Sequence, residues 1–503
     1  MVCPHCGFEN EIGRETCSNC GESLAILEAP ETQEQPVRNS VWAWVVAGLM
    51  VALVAAALII FKGGVGAGRA NPLLYAVLGD QVIPFSQMGV LENGGTKATT
   101  FSSTATNFAV APYSIRAGHS YLSSTGQLAI FANADLNGGG QLMLADLKGN
   151  GISTASESPL PLTVAGNFQS FSPDGKYFGY TSVSADGSGL RAVIINSRAD
   201  TVQVNDNMIL SEILPDSNHF LAYSLDGPTG NPTALVSVAI PSGEQKILYQ
   251  ASGTDTLAGV DVVSPDKSIY FVLQQGEAVT IYYMGLDGSD PKPVYTFKQP
   301  ISFFGVISIA PDQKSLLVLD PNEAGTGYNF LSINPADMAV TQLASDVYAE
   351  FFSEAVFLRQ MYGEMAITFS PDGKHFAYMT SGESGLNLYV TDLSGQPGTL
   401  IASGQIAYSY AFSPNSDRLI YVQFATSGQA AGPLFTSDFS GASTQLDGDV
   451  TSFNFQNGKL VYFSAPAGEQ TTSTLYQSEL DGQGKTELLA AQPGYWVFVK
   501  LPE

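Results

Sequence analysis

Four cysteines, all within the first 20 residues of a 503-residue chain, are the residues best suited to do chemistry. They fall as Cys3-Pro4-His5-Cys6-Gly7 and, past residues 7–16, as Cys17-Ser18-Asn19-Cys20-Gly21. Two residues between paired cysteines let the backbone fold back so that both sulfurs reach one ion. Two such pairs supply the four thiolates that a structural zinc takes in tetrahedral geometry. Gly7 and Gly21 follow the pairs, where a tight turn often needs a positive φ. Four thiolates fill the shell, so His5 reads as a spacer, and the closed site is structural and not catalytic. The alternative is two disulfides or a redox pair. Glu9, Glu11, Glu15 and Glu22 outnumber Arg14, which argues against a nucleic-acid reader.

Other chemistry is sparse. His219 and His375 occupy the position that Tyr177 holds in a repeated string described below, and read as strand surface residues rather than ligands. His119 has no visible partner. The acid–glycine segments Asp135-Leu136-Asn137-Gly138 and Asp186-Gly187 are calcium candidates without EF-hand spacing, and read as ordinary turns. No glycine-rich nucleotide loop follows a strand and opens a helix.

The elements that position these residues differ along the chain. Overall, 21 basic against 46 acidic residues give a net charge of −25, and charged residues make up only 13%. That balance excludes nucleic acid as the main partner. A 45% hydrophobic content excludes disorder, and 51 glycines suit short strands and tight turns. Residues 41–61 carry no charge; at 1.5 Å per residue they span about 30 Å, the hydrocarbon thickness of a bilayer. Trp42 and Trp44 at one end and Lys62 at the other suit the two interfaces. A cleaved signal peptide is the competing reading, but the apolar run is long for one and a metal knuckle precedes it. The expected organisation is a zinc ribbon (1–22), a juxtamembrane linker (23–40), a transmembrane helix (41–61), a Gly-rich linker (62–70) and a β domain (71–503). Arg38 against Lys62 and Arg69 is a weak topological vote. Thiolates need a reducing compartment and the β domain has no cysteine, so the N-terminus is expected in the cytoplasm and the β domain outside it.

The β domain is a repeat. Phe171-Ser172-Pro173-Asp174-Gly175-Lys176-Tyr177-Phe178-Gly179-Tyr180 recurs as Phe369-Ser370-Pro371-Asp372-Gly373-Lys374-His375-Phe376-Ala377-Tyr378. Weaker copies carry Pro215, Pro265, Pro311 and Pro414, and the six prolines are spaced by 42, 50, 46, 60 and 43 residues. Ser124-Thr125-Gly126-Gln127 and Gln456-Asn457-Gly458-Lys459 bring the count to eight. Pro sets φ for the first corner, Asp bonds back to the backbone and Gly takes the left-handed position, so each string joins two strands. Four antiparallel strands per period of about 40–50 residues is the pattern of a propeller blade. The expected fold is a mainly β, eight-bladed β-propeller, with seven as the alternative count. Residues 73–85 and 495–499 are expected to pair and close the ring.

Residues 1–22 resemble the short zinc ribbons with CPxCG-type knuckles. From about residue 70 onward, the FSPDGK-type strings resemble TolB-like propellers, repeats that also occur in the non-catalytic domains of prolyl-oligopeptidase-type peptidases. The resemblance implies a propeller fold and a habit of binding proteins or peptides; it implies no specific activity. The hydrolase relatives carry a G-x-S-x-G elbow that this sequence lacks, so no enzyme is expected.

One region breaks the period. Between Pro311 and Pro371, Val347, Phe351, Phe352, Ala355, Leu358 and Tyr362 lie at helical spacing, with Ser345 or Asp346 as a helix cap. The segment 345–362 reads as a packing insert or long outer strand, and alternatively as a partner-contact element. The leading functional expectation is a single-pass membrane protein presenting an extracytoplasmic propeller that binds a protein, a peptide or a cell-envelope polymer. The alternatives are a propeller enzyme, such as a polysaccharide lyase or hydrolase with a site in the central channel, and a sensor signalling through the zinc ribbon.

Overall fold

The computed structural model describes residues 18–19, 73–78, 86–101, 109–110, 123–135, 139–147, 152–156, 160, 169–184, 187, 189–226, 230–263, 267–299, 307–311, 314–348, 367–395, 397–405, 407–425, 431–465 and 472–499. The chain divides into two compact units, Met1–Gly68 and Arg69–Glu503. The four cysteines, both linkers and residues 41–61 lie outside the described residues. Among the described residues no helix is long and apolar enough to cross a membrane.

The second unit is built almost entirely of antiparallel strands in up-and-down order. They group into nine four-stranded meanders among the described residues. Blade 1 joins Tyr495–Val499 to Leu73–Leu78, Gln87–Glu92 and Lys97–Thr100. Blades 2 to 9 follow at residues 109–154, 169–206, 208–250, 256–296, 307–347, 367–405, 407–450 and 450–493. The long strand Ser443–Gln456 serves twice, as the last strand of blade 8 and the first of blade 9. Apolar clusters fill the spaces between successive blades from blade 3 through blade 9 and on to blade 1. This face-to-face stacking of meanders is a β-propeller.

Burial within each blade follows from that stacking. The second strands Tyr177–Val183, His219–Leu225 and Ser268–Gln275 are buried at consecutive positions because neighbouring blades cover both faces. Fourth strands such as Gln245–Gln250 are largely exposed. Side chains such as Tyr223, Tyr270 and Phe271 are fully buried, each contributing about 1.5–3 kcal/mol.

The eight-blade expectation is one short of the nine meanders. It counted turns between first and second strands, and blade 1 has none. Its first strand, Tyr495–Val499, comes from the far end of the sequence and pairs with Leu73–Leu78, Leu74 opposite Val499 and Leu78 opposite Tyr495. The expected pairing of the ends is therefore present, and Tyr75 stacks on Trp496 with ring centroids 4.3 Å apart.

The helical reading that began at Ser345 also needs correction. Ser345, Asp346 and Val347 end the strand Ala339–Val347, and Val347 is fully buried. The rest of the segment lies outside the described residues, but its flanks are informative. Val347 pairs with Thr380, the Tyr348 amide donates to the Met379 carbonyl at 2.7 Å, and Ile367 pairs with Tyr378. Tyr348 and Ile367 thus hold successive places along the same edge of His375–Gly382, the second strand of blade 7.

Candidate functional site

The meander order gives the propeller two ends. Turns between first and second strands and between third and fourth strands lie at one, the turn end. Hairpins between second and third strands and the crossovers between blades lie at the other, the crossover end.

At the turn end the repeated polar string is occupied by its own geometry. Ser172 Oγ donates to Asp174 Oδ1 at 2.8 Å and accepts from the Tyr177 amide at 2.9 Å. Ser370 repeats this with Asp372 at 2.7 Å and the His375 amide at 3.0 Å. The Asp372 carboxyl is held at about 2 by the hydrogen bonds from Ser370 Oγ and the Lys374 amide, with the Lys374 ammonium adding to them. These serine–aspartate–lysine groups resemble catalytic sets in composition, yet they close turns. The left-handed residue is Gly126, Gly175 or Gly373 in some blades, and Ser217, Lys267 or Ser416 in others.

The histidines do not converge. His219 Nδ1 sits 2.6 Å from Asp216 Oδ2 on the surface of blade 4. The His375 ring packs against Phe439, with centroids 5.2 Å apart. His119 and the cysteines lie outside the described residues, although Ser18 and Asn19 form an exposed turn between Cys17 and Cys20. Among the described residues no group of three His, Cys, Asp or Glu side chains is placed to hold a metal ion.

At the crossover end, a cleft of about 380 Å³ opens beside blades 5 and 6, lined by Lys298, Asn322, Glu323, Asn329, Gln342 and Asp346 among others. Local backbone geometry builds it. The hairpin after Leu316–Pro321 brings Asn322 in, 8% exposed, where its Oδ1 accepts from the Thr326 amide at 3.1 Å. Its Nδ2 donates to Asp346 Oδ1 at 2.8 Å. Asp346 takes a left-handed φ of 53°, a conformation Asp tolerates better than most residues. Gly327 lets the hairpin backbone lie against Asp346 and Val347, since a Cβ there would meet both at 3.1 Å.

Asp320 lies next to this cleft. It stands directly opposite Asn329 in the strand pair, so the two side chains share one face of the sheet. It is 1% exposed; Oδ2 accepts from the Tyr295 hydroxyl of blade 5 at 2.7 Å, and Oδ1 has no hydrogen-bond partner among the described residues. Burial, and then the bond to Asp320, push the Tyr295 hydroxyl pKa up. Sequence reasoning missed this cleft. Its one signal is an acid that closes the apolar run Leu316-Leu317-Val318-Leu319-Asp320.

No protein-family model matches the chain, and no curated protein matches it. Among solved structures it is similar to an oligogalacturonate lyase in complex with manganese (12% identity, 64% of this chain and 91% of that one, TM-score 0.40). It is also similar to a eukaryotic initiation factor (12%, 86% and 99%, 0.48). A third is TolB from Acinetobacter baumannii (13%, 64% and 83%, 0.28). No function passes from any of them to this chain.

Proposed function

We propose that the chain is a single-pass membrane protein, anchored by residues 41–61, that presents its β-propeller outside the cytoplasm as a module binding a protein, peptide or cell-envelope polymer. The observation that carries the reading is the use of the repeated polar residues. Ser172, Asp174, Ser370 and Asp372 spend their hydrogen bonds on turns, so the motif serves the fold and leaves function to the surfaces between and beyond the blades.

On the cytoplasmic side, Cys3, Cys6, Cys17 and Cys20 hold one structural zinc. Four thiolates suit the ion, and the two-residue turn Ser18–Asn19 is the spacer that lets Cys17 and Cys20 face one centre. A bound zinc supplies folding energy to a segment too short for a core. The closed ring is nine-bladed, with blade 1 made from both ends of the domain.

Crosslinking in intact cells, followed by identification of captured partners, tests the binding reading; turnover of a glycan or peptide by the full chain would replace it with an enzyme. Protease added outside the cytoplasmic membrane is expected to digest the propeller and spare residues 1–22. Protection of the propeller would reverse the topology. Metal analysis of the full chain is expected to give about one zinc per chain; two disulfides and no metal would remove the ribbon.

A further inference from the structure

Charges sort by end in the propeller. At the turn end bases are interspersed among the acids: Lys97 pairs with Glu92 at 2.9 Å, Lys176 with Asp174 at 2.7 Å, Lys374 with Asp372 at 3.3 Å and Lys459 with Glu479 at 2.7 Å, and Arg198, Lys246, Lys292 and Arg418 stand at the same end beside acids such as Glu244 and Asp290. At the crossover end the described hairpins and crossovers carry Asp226, Asp255, Glu277, Glu323, Asp346 and Glu383. The described bases at that end are Lys298 and Arg191, and Arg191 stands across the strand pair from Asp206. Like charges gathered on one surface raise the local potential and concentrate ions of opposite sign.

The cleft beside blades 5 and 6 is a recess in that surface, and its chemistry points the same way. Glu323 and Asp346 are acceptors, Asn329 and Gln342 offer amide oxygens, and Asn322 already fixes Asp346 through one oxygen. Asp320, on the same sheet face as Asn329 but outside the lining, holds a buried carboxylate oxygen that lacks a donor among the described residues. The described lining holds no aromatic ring on which a sugar could stack. Two carboxylates against one lysine in the lining, with buried Asp320 beside them, disfavour an anion. This acceptor-rich lining suits a cation with several N–H donors.

We infer that the crossover end docks a basic protein segment, and that the cleft beside blades 5 and 6 receives one of its arginine or lysine side chains. This rests on the binding reading above and names the chemical class of the partner. A guanidinium presents donors in a planar fork that can meet the free oxygen of Asp346 and the carboxylate of Glu323. Lys298, exposed at the rim, competes for the same carboxylates.

The test is calorimetric titration of the full chain with an arginine-rich peptide amide and with its citrulline counterpart, which keeps the shape and loses the charge. The arginine peptide is expected to bind, more weakly as salt rises, and the citrulline peptide not to bind. Glu323→Gln and Asp346→Asn should each weaken binding by about three- to tenfold. Glu244→Gln and Asp290→Asn, exposed acids at the turn end, should change it by less than about twofold. Lys298→Met should tighten it. Equal binding of the citrulline peptide, equal losses from both ends, or weaker binding by Lys298→Met would each overturn the inference. Melting temperatures of all variants separate lost binding from lost fold. Failure to capture a partner in cells would strike the binding reading alone, since the titration does not depend on it.

Discussion

The backbone amide of Asp372 in blade 7 donates to Oγ of Ser416 in blade 8 at 3.0 Å, and Asp174 makes the same bond to Ser217 in the next blade at 3.2 Å. Both serines occupy the left-handed corner of their own turn, with φ of 60° and 57°. A glycine would relieve that corner but break the link between blades. The neighbouring contact runs the other way: a Cβ on Gly373 would meet Pro311 of blade 6 at 2.8 Å, and one on Gly175 would meet Thr125 of blade 2 at 2.8 Å. Turn strings that look like independent local motifs are therefore contacts between adjacent blades.

Ser416→Ala keeps the strained corner and removes the bond. It should cost about 1 kcal/mol in denaturant unfolding, the usual net worth of one hydrogen bond. Lys267→Gly is the complementary case. Lys267 is exposed at φ 67°, so relief of the left-handed strain should stabilise by about 1 kcal/mol. A neutral Ser416→Ala would remove the inter-blade bond from the account.

Gly373→Ala and Gly276→Ala separate conformational strain from close approach. Both glycines have positive φ, 68° and 62°, but a Cβ at Gly276 would meet nothing within 4 Å. Each should pay about 1–2 kcal/mol for the left-handed conformation. Gly373→Ala should lose more, because Pro311 must also move. Equal losses would mean that the turn of blade 7 shifts freely away from blade 6.

Stability should fall in acid through the same turns. Asp372 titrates at about 2 in the fold against an ordinary 3.8, so its contribution is present above about pH 4 and disappears as the pH drops through about 2. Asp372→Asn should lower the melting temperature at neutral pH, and the gap from the parent chain should close between pH 4 and pH 2. Taking the difference cancels the separate effect of discharging an acidic protein. A gap that stays constant across the window would show that the carboxylate charge is irrelevant to the turn.

What was legible in the sequence follows the range of the interactions. Pro, Asp and Gly act within a few residues, so eight of the nine meanders could be read from their turns. Blade 1 escaped the count, though not the expected pairing of the ends, because its first strand Tyr495–Val499 reaches Leu73–Leu78 across the whole domain and no short turn joins them. The apolar spacing at Val347 looked helical because register shifts against Tyr328–Asn334 break the alternation of the strand Ala339–Val347, leaving Leu343, Ala344 and Val347 buried and Ser345 and Asp346 exposed. The cleft was invisible for a related reason. Lys298, Glu323, Gln342 and Asp346 converge from a crossover, a hairpin and an outer strand, and share no motif. The four cysteines are the converse: their spacing is legible in the sequence, and the residues themselves lie outside the described part of the structure.

Excision of residues 349–366 with direct joining of Tyr348 to Ile367 should leave a folded propeller. The two flanks already hold successive register positions against Met379 and Tyr378, so the joined strand needs no shift, and a shorter loop lowers the entropy cost of closing it. The expected result is an unchanged far-ultraviolet circular dichroism spectrum and a melting temperature within a few degrees of the parent. If partner capture in cells weakens at the same time, the segment is the contact element that its aromatic residues suggested. An unfolded product would establish instead that the segment packs as part of the core.

The last prediction concerns Asp320. A buried carboxylate oxygen without a donor is a cost to the fold, because desolvation is not repaid by a hydrogen bond. Asp320→Asn retains an oxygen to accept from Tyr295 and removes the acid, so stability should rise or change by less than about 1 kcal/mol. The same variant should bind the arginine peptide more weakly, because one of the three carboxylates near the cleft has gone. Opposite signs for stability and binding would mark Asp320 as a residue kept for recognition at the expense of the fold. A loss of stability of several kcal/mol would show that the carboxylate is held by a partner and belongs to the architecture of blades 5 and 6. Unchanged peptide affinity would confine its role to the Tyr295 contact.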